Sequence, residues 1–206
     1  MATARRTGSE SSKTRARLLD VTERLMRTEG YAAVSSRRVA GEAGVTGALV
    51  HYYFPTLDDL FLELFRRGAE RNLERHARAL ESPQPLRALW QFSLEPGGVV
   101  LFTEFMALAN HRKTIRREIV SYAKRFRRLQ IELLSDRLAQ YGIERDDLPP
   151  EVALVLVSTL ARGIVTEDVM GNTVGHAETL AFVERWLDRL EGPAAAPAAR
   201  KNARRG

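Results

Sequence analysis

At 206 residues the chain can bury a full hydrophobic core, as one domain or as two small ones. Its 32 basic and 26 acidic side chains leave a net charge of +6, which suits a polyanionic partner without identifying one. The absence of cysteine excludes disulfides and thiolate metal sites.

Residues 1–12 and 193–206 are small, polar and basic, with nothing to anchor them to a core; both are expected to be an unstructured arm and tail. The opening MATARRTGSESSKTR has no apolar run of the kind that directs export. The longest apolar run, 152–161, falls short of the ~20 residues needed to span a bilayer. A cytoplasmic protein without a membrane segment is expected.

Leu18, Leu19, Val21, Leu25 and Met26 form the apolar stripe of a first helix over 12–29, which stops at Gly30. Ser35 then caps a short helix over 37–43 that places Val39, Ala40 and Ala43 on one face. Gly44 supplies a residue able to take a positive φ at the corner, and Val45 plugs the space between two helices. Thr46 caps a second short helix over 47–54, which ends before Pro55. Two short helices across a tight glycine turn are the arrangement that sets a recognition helix in the DNA major groove. The motif spans 35–54, within a head of 13–72.

The remainder, 73–192, continues with helical periodicity. Thr56, Asp58 and Asp59 open a fourth helix with the stripe Leu57, Leu60, Phe61, Leu64 and Phe65. Pro83 and Pro85 precede a helix carrying Leu86, Leu89, Trp90 and Phe92. Pro96 opens a sixth helix, and a long seventh runs over 113–141 to Gly142. Asp147, Pro149 and Pro150 start an eighth helix that is apolar nearly all round, so it must be covered on every side. A ninth covers 176–190. No strand pattern competes: the chain is read as all-α, with about nine helices.

Segment 14–60, with TRARLLDVTERLMRTEGY, SRRVAGEAGVTGALVHYYF and PTLDDL, resembles the amino-terminal domain of the TetR family of bacterial transcriptional regulators. The resemblance implies a three-helix DNA-binding head, joined by the fourth helix to an all-α body that binds a small effector and dimerises through its last two long helices. Leu57 stands where the family often has a phosphate-binding lysine, and His51 where the recognition helix commonly has tyrosine.

Candidate DNA contacts are Ser36 and Arg37 at the start of the second helix, with Thr46, Gly47, Ala48, His51 and Tyr52 on the recognition helix. Trp90, Phe102, Phe105, Met106, Tyr122 and Phe126 are candidates for an apolar effector pocket, with Glu104, Asn110 or Glu167 as orienting groups. The alternative for these aromatics is a place in the bundle core, and the basic run 112–128 leaves an anionic effector such as an acyl-CoA open. Val152, Leu156, Leu160, Val183, Trp186 and Leu187 are expected at a homodimer interface, which would set the spacing of two heads on palindromic double-stranded DNA.

No GxSxG, Walker A, HExxH or Rossmann signature is present, and Asp58, Asp59 and Glu63 read as caps rather than metal ligands. No catalytic residue, metal or cofactor is expected. The competing readings are an all-α enzyme without a recognisable motif and a nucleoid-type protein that binds DNA without sequence preference.

Overall fold

In the computed structural model, residues 2–146 and 148–194 are described, and they form nine α-helices with no strand. Helix α1 spans Ala2–Glu29, beginning well before the expected start near residue 12. No proline interrupts the added segment, and extending a helix already anchored by Leu18 to Met26 costs far less than nucleating one. Gly30, at φ 85°, ends α1 and leads into a single 3₁₀ turn, Tyr31–Ala33.

Helices α2 (Ser36–Ala43) and α3 (Gly47–Tyr53) form where the caps place them. The Ser35 hydroxyl accepts from the Arg38 amide at 3.2 Å, and the Thr46 hydroxyl from the Leu49 amide at 3.3 Å. At the corner, Gly44 sits at φ 66°, and the Val45 amide reaches back to the Ala40 carbonyl at 3.0 Å. Helix α4 (Leu57–Leu80) opens on a complete capping box. The Asp59 amide donates to the Thr56 hydroxyl at 3.1 Å, while the Asp59 carboxylate accepts the Thr56 amide at 3.0 Å.

Helices α5 (Pro85–Ser93), α6 (Pro96–His111) and α7 (Lys113–Gln140) follow, then α8 (Pro150–Val169) and α9 (His176–Glu191). Asp147, expected to help start α8, lies outside the described residues, as does the tail from 195. Pro150 occupies the first turn of α8, where its missing amide hydrogen leaves no bond unmade.

Two hydrophobic cores divide the molecule. The first joins Leu18, Leu25 and Met26 of α1, Val39 of α2, Val50 of α3 and Leu60, Phe61 and Leu64 of α4. It also takes in Phe105 and Leu108 of α6 and Ile115 of α7, so the head is packed directly on two body helices. The second joins Leu86 and Trp90 of α5, Leu134 and Leu138 of α7, Ala153, Leu154, Ala161 and Ile164 of α8, and Leu187 of α9.

Helix α5 lacks a side-chain cap of its own. The Glu191 carboxylate, at the end of α9, accepts the Leu86 and Arg87 amides at 2.8 and 2.9 Å and the Tyr141 hydroxyl at 2.9 Å. A carboxylate favours the positive end of a helix dipole, so this is a cap supplied across the fold. Burial and Glu191 push the Tyr141 hydroxyl up to about 12. Beside it, buried Arg87 pairs with Glu184 and with Asp188, the latter at 2.7 Å.

Candidate functional site

The exposed side of the helix-turn-helix is built from a short list of side chains. Helix α3 buries Val50 against the head core and packs Leu49 and Tyr53 partly inward. Ala48, His51 and Tyr52 fall on its opposite side, with Tyr52 77% exposed. The α3 N-terminus leaves amides of the first turn to an external acceptor, a setting that favours phosphate. The His51 Nδ1 lies 3.4 Å from the Pro55 carbonyl. Ser36 is half-buried and Arg37 exposed at the first turn of α2. The neighbouring Arg38, partly exposed, is held against the head by Glu29 at 2.6 Å and Glu42 at 3.2 Å, which raise its pKa. Glu42 is pulled below its ordinary value by Arg24 and Arg38. Of these two adjacent arginines, then, Arg37 faces outward and Arg38 is part of the scaffold.

Phe54 is fully inside the head, with the Arg15 guanidinium 5.4 Å from its ring centre. The acidic residues of α4 are also structural: Asp59 completes the capping box, Asp58 pairs with Arg112, and Glu63 with Arg15 at 2.6 Å.

A cavity of about 750 Å³ lies in the second half of the molecule, between α5, α7, α8 and α9, with one residue of α4 in its wall. It is large enough for a drug-sized ligand. Leu89, Trp90, Leu134, Leu138, Leu154 and Leu187 are among its apolar walls; His76, Ser93, Gln130 and Ser158 are its polar ones beside the indoles. No Asp, Glu, Lys or Arg lines it among the described residues.

Of the nine residues expected at an effector pocket, this cavity uses Trp90. Phe105, Tyr122 and Phe126 instead form an aromatic seam between α4, α6 and α7. Phe65 meets Phe105 and Tyr122 edge-on at 5.3 and 5.5 Å, and Tyr122 stacks on Phe126 at 5.5 Å. Phe102 is exposed beneath the Arg162 guanidinium, and Met106 and Asn110 face solvent. Glu104 accepts the Tyr31 amide at 2.7 Å, pinning α6 to the head. Glu167 bonds His176 at 2.8 Å at the α8–α9 turn. Periodicity marks these side chains as inward or outward, but the space they face depends on which helices flank them.

Within the single chain, the residues expected at a dimer interface fall into two groups. Leu187 is buried in the second core, and Val183 and Trp186 line the cavity from α9. The α9 stripe Leu180, Val183, Leu187 and Leu190 turns into the chain's own body. Val152, Leu156 and Leu160 of α8 remain exposed, with Val155 and with Phe182 of α9. Helix α8 is thus covered on one side, by Ala153, Leu154, Ala161, Ile164 and Val165, and bare on the other. Leu156 (59% exposed) and Phe182 (60%) stand at the lip of the cavity.

His76 is one of several cavity residues that periodicity alone passed over. It continues the inward stripe of α4 through Phe65, Ala69 and Asn72, so a polar residue on an otherwise core-facing row was the available signal.

A helix-turn-helix head joined to a body with an open, ligand-sized cavity is the arrangement of a helix-turn-helix transcriptional regulator. Residues 18–64 match the family described as bacterial regulatory proteins, tetR family. It is 28% identical over 151 residues, 68% of this chain and 73% of its relative, to an uncharacterized HTH-type transcriptional regulator in the dhlA 5' region of Xanthobacter autotrophicus. Over 172 residues, 79% of this chain and 80% of its relative, it is 26% identical to the HTH-type transcriptional regulator AcrR of Shigella flexneri. The fold is shared with a putative transcriptional regulator of Saccharomonospora viridis, solved in complex with choline. That match has a TM-score of 0.69 at 24% identity and covers 79% of this chain and 88% of that one. No single helix among the described residues is long and apolar enough to cross a membrane.

Proposed function

We propose that the protein is a homodimeric cytoplasmic repressor, released from a palindromic operator by a small, largely apolar effector held in the body cavity. The observation that carries this reading is the uncharged 750 Å³ cavity in a chain whose other end is a helix-turn-helix. We assign residues 13–72 to the DNA-binding head and 73–192 to the effector and dimerisation body. Arg37, Ser36 and the Thr46–Gly47–Ala48 turn hold phosphates or groove edges, and Ala48, His51 and Tyr52 meet the bases. So few side chains discriminate weakly alone, which argues for two heads on two half-sites.

The bare face of α8, with Phe182, supports the dimer: contiguous apolar surface of this kind marks an interaction site. Pairing there fixes the distance between heads. An effector that binds the DNA-incompetent spacing more tightly, acting through α4, releases the operator with about 1–3 kcal/mol of coupling. Operator DNA must weaken effector binding by the same factor.

The test is selection of bound duplexes from a random pool by the full chain. A palindromic consensus with half-sites about one helical turn apart is expected. Retention of all sequences equally would replace the repressor with a non-specific DNA binder.

A further inference from the structure

Three of the four polar groups of the cavity wall, His76, Ser93 and Ser158, share a property that bears on what fills it. This inference rests on reading the cavity as an effector site. His76 is 7% exposed and wedged edge-on between Phe92 and Phe126, with ring centres 4.4 and 4.5 Å away. Its Nδ1 lies 3.1 Å from the Asn72 carbonyl. A carbonyl only accepts, so Nδ1 carries the proton, and in the neutral ring Nε2 is left as an acceptor. Among the described residues no protein group donates to it.

The ring stays neutral near pH 7. Burial pushes its pKa down to about 4 and Arg75 adds to the shift, although the Asn72 carbonyl opposes it. Arg75 itself is drawn away to Glu95 and lies over the Phe92 ring.

The two serines of the wall point the same way. Ser93 spends its hydroxyl proton on the Leu89 carbonyl at 2.8 Å, and Ser158 faces the Val155 carbonyl at 3.4 Å. Both keep lone pairs for an incoming donor. The Trp90 indole N–H is buried and unpaired, but packed atoms close it off from the open space. Gln130, the fourth polar group, can both donate and accept, so the cavity offers mainly acceptors in an apolar, uncharged shell. A ligand that cannot donate leaves them unpaired on losing water, and a charged ligand finds no counter-charge.

We propose that the effector is an uncharged, largely apolar molecule bearing a hydroxyl or N–H group, and that it donates this hydrogen bond to Nε2 of His76. Because His76 is the residue that α4 contributes to the cavity, the bond ties the ligand to the helix that carries the head.

A matched set of probes tests this by titration calorimetry on the full chain without DNA: 4-pentylphenol, 4-pentylanisole, 4-pentylbenzoate and hexyltrimethylammonium. The phenol is neutral at pH 7 and donates, the ether is one methyl larger and has no proton to donate, and the last two carry opposite charges. The phenol is expected to bind about tenfold more tightly than the other three. Hydrophobicity alone would favour the ether. His76→Phe keeps the flat packing and removes the acceptor, so the phenol should fall to the level of the ether. His76→Gln, which retains an acceptor oxygen, should preserve the preference. Equal binding of phenol and ether by the wild type, tighter binding of either charged probe, or a preference that survives His76→Phe would overturn the proposal. Should His76→Phe not fold, the wild-type contrast decides alone. Saturable binding of none of the probes would overturn both the donor assignment and the cavity's role. Selective phenol binding by a chain that selects no palindrome would remove the repressor reading and leave the inference standing.

Discussion

The head and the far half of the body are both made of helices, yet they are assembled on opposite terms. In the head, short helices are stopped and started by their own neighbours in sequence, and their apolar faces meet in one buried core. In the body, long helices leave a 750 Å³ space between them, borrow a cap from another helix and leave one side of α8 bare. A recognition helix has to arrive at the groove already formed, so rigidity serves it. A ligand site requires room, and room is obtained by giving up packing.

The comparison would break first at the bare face of α8. Leu156→Arg places a charge on the proposed contact, and loss of operator binding altogether is expected, with a monomer in sedimentation. A soluble variant that still sediments as a dimer would remove α8 from the interface.

Core truncations sharpen the contrast in packing. Leu25→Ala, deep in the head, should cost about 3–5 kcal/mol by urea unfolding, because the hole has no way to collapse. Leu89→Ala, on the cavity wall, should cost about 2 kcal/mol, since that side chain already lacks neighbours on one side. Equal costs would mean that the body is as tightly packed as the head.

His51→Ala should weaken operator binding by about 1–3 kcal/mol while the melting temperature stays put. Arg37→Ala separates two roles: an equal loss on operator and scrambled DNA marks a phosphate contact, whereas a loss of discrimination marks a base contact. Wild-type affinity in both variants would move the recognition surface elsewhere.

Glu191→Ala removes the acceptor that α5 borrows from α9, and about 1–2 kcal/mol should be lost, mainly from the body. Hydrogen exchange should report it: amides of α5 are expected to lose protection and those of α2 to keep it.

The smallest effect concerns His176, at the α8–α9 turn. Its ring lies 2.8 Å from both Glu167 and Asp168, and their hydrogen bonds raise its pKa above the ordinary 6.5. A raised folded value means stability that is fully present below pH 6.5 and lost as pH climbs through the folded pKa. Wild-type melting temperature should therefore decline from pH 6 to pH 9 more than that of His176→Gln. Parallel curves would show that the contact contributes nothing.

The head was legible in sequence because each of its joints lies within a few residues. Ser35, Gly44, Thr46 and the Thr56–Asp59 box act over three or four positions, the range of a helical turn. The number and order of the helices came from the same local periodicity. Which of the effector and interface candidates line the cavity, as Trp90, Val183, Trp186 and Leu187 do, periodicity left open.

Those assignments waited on the tertiary structure. A cavity exists only in the gap between helices far apart in the chain, and whether an apolar face meets such a gap, a core or a second molecule depends on how those helices cross. Glu191 reaches Leu86 across a hundred residues, and His76 opens on a space walled by α5, α7, α8 and α9. Hydrogen bonds within one helix are specified by adjacent residues; the empty volume between helices is specified by none of them singly.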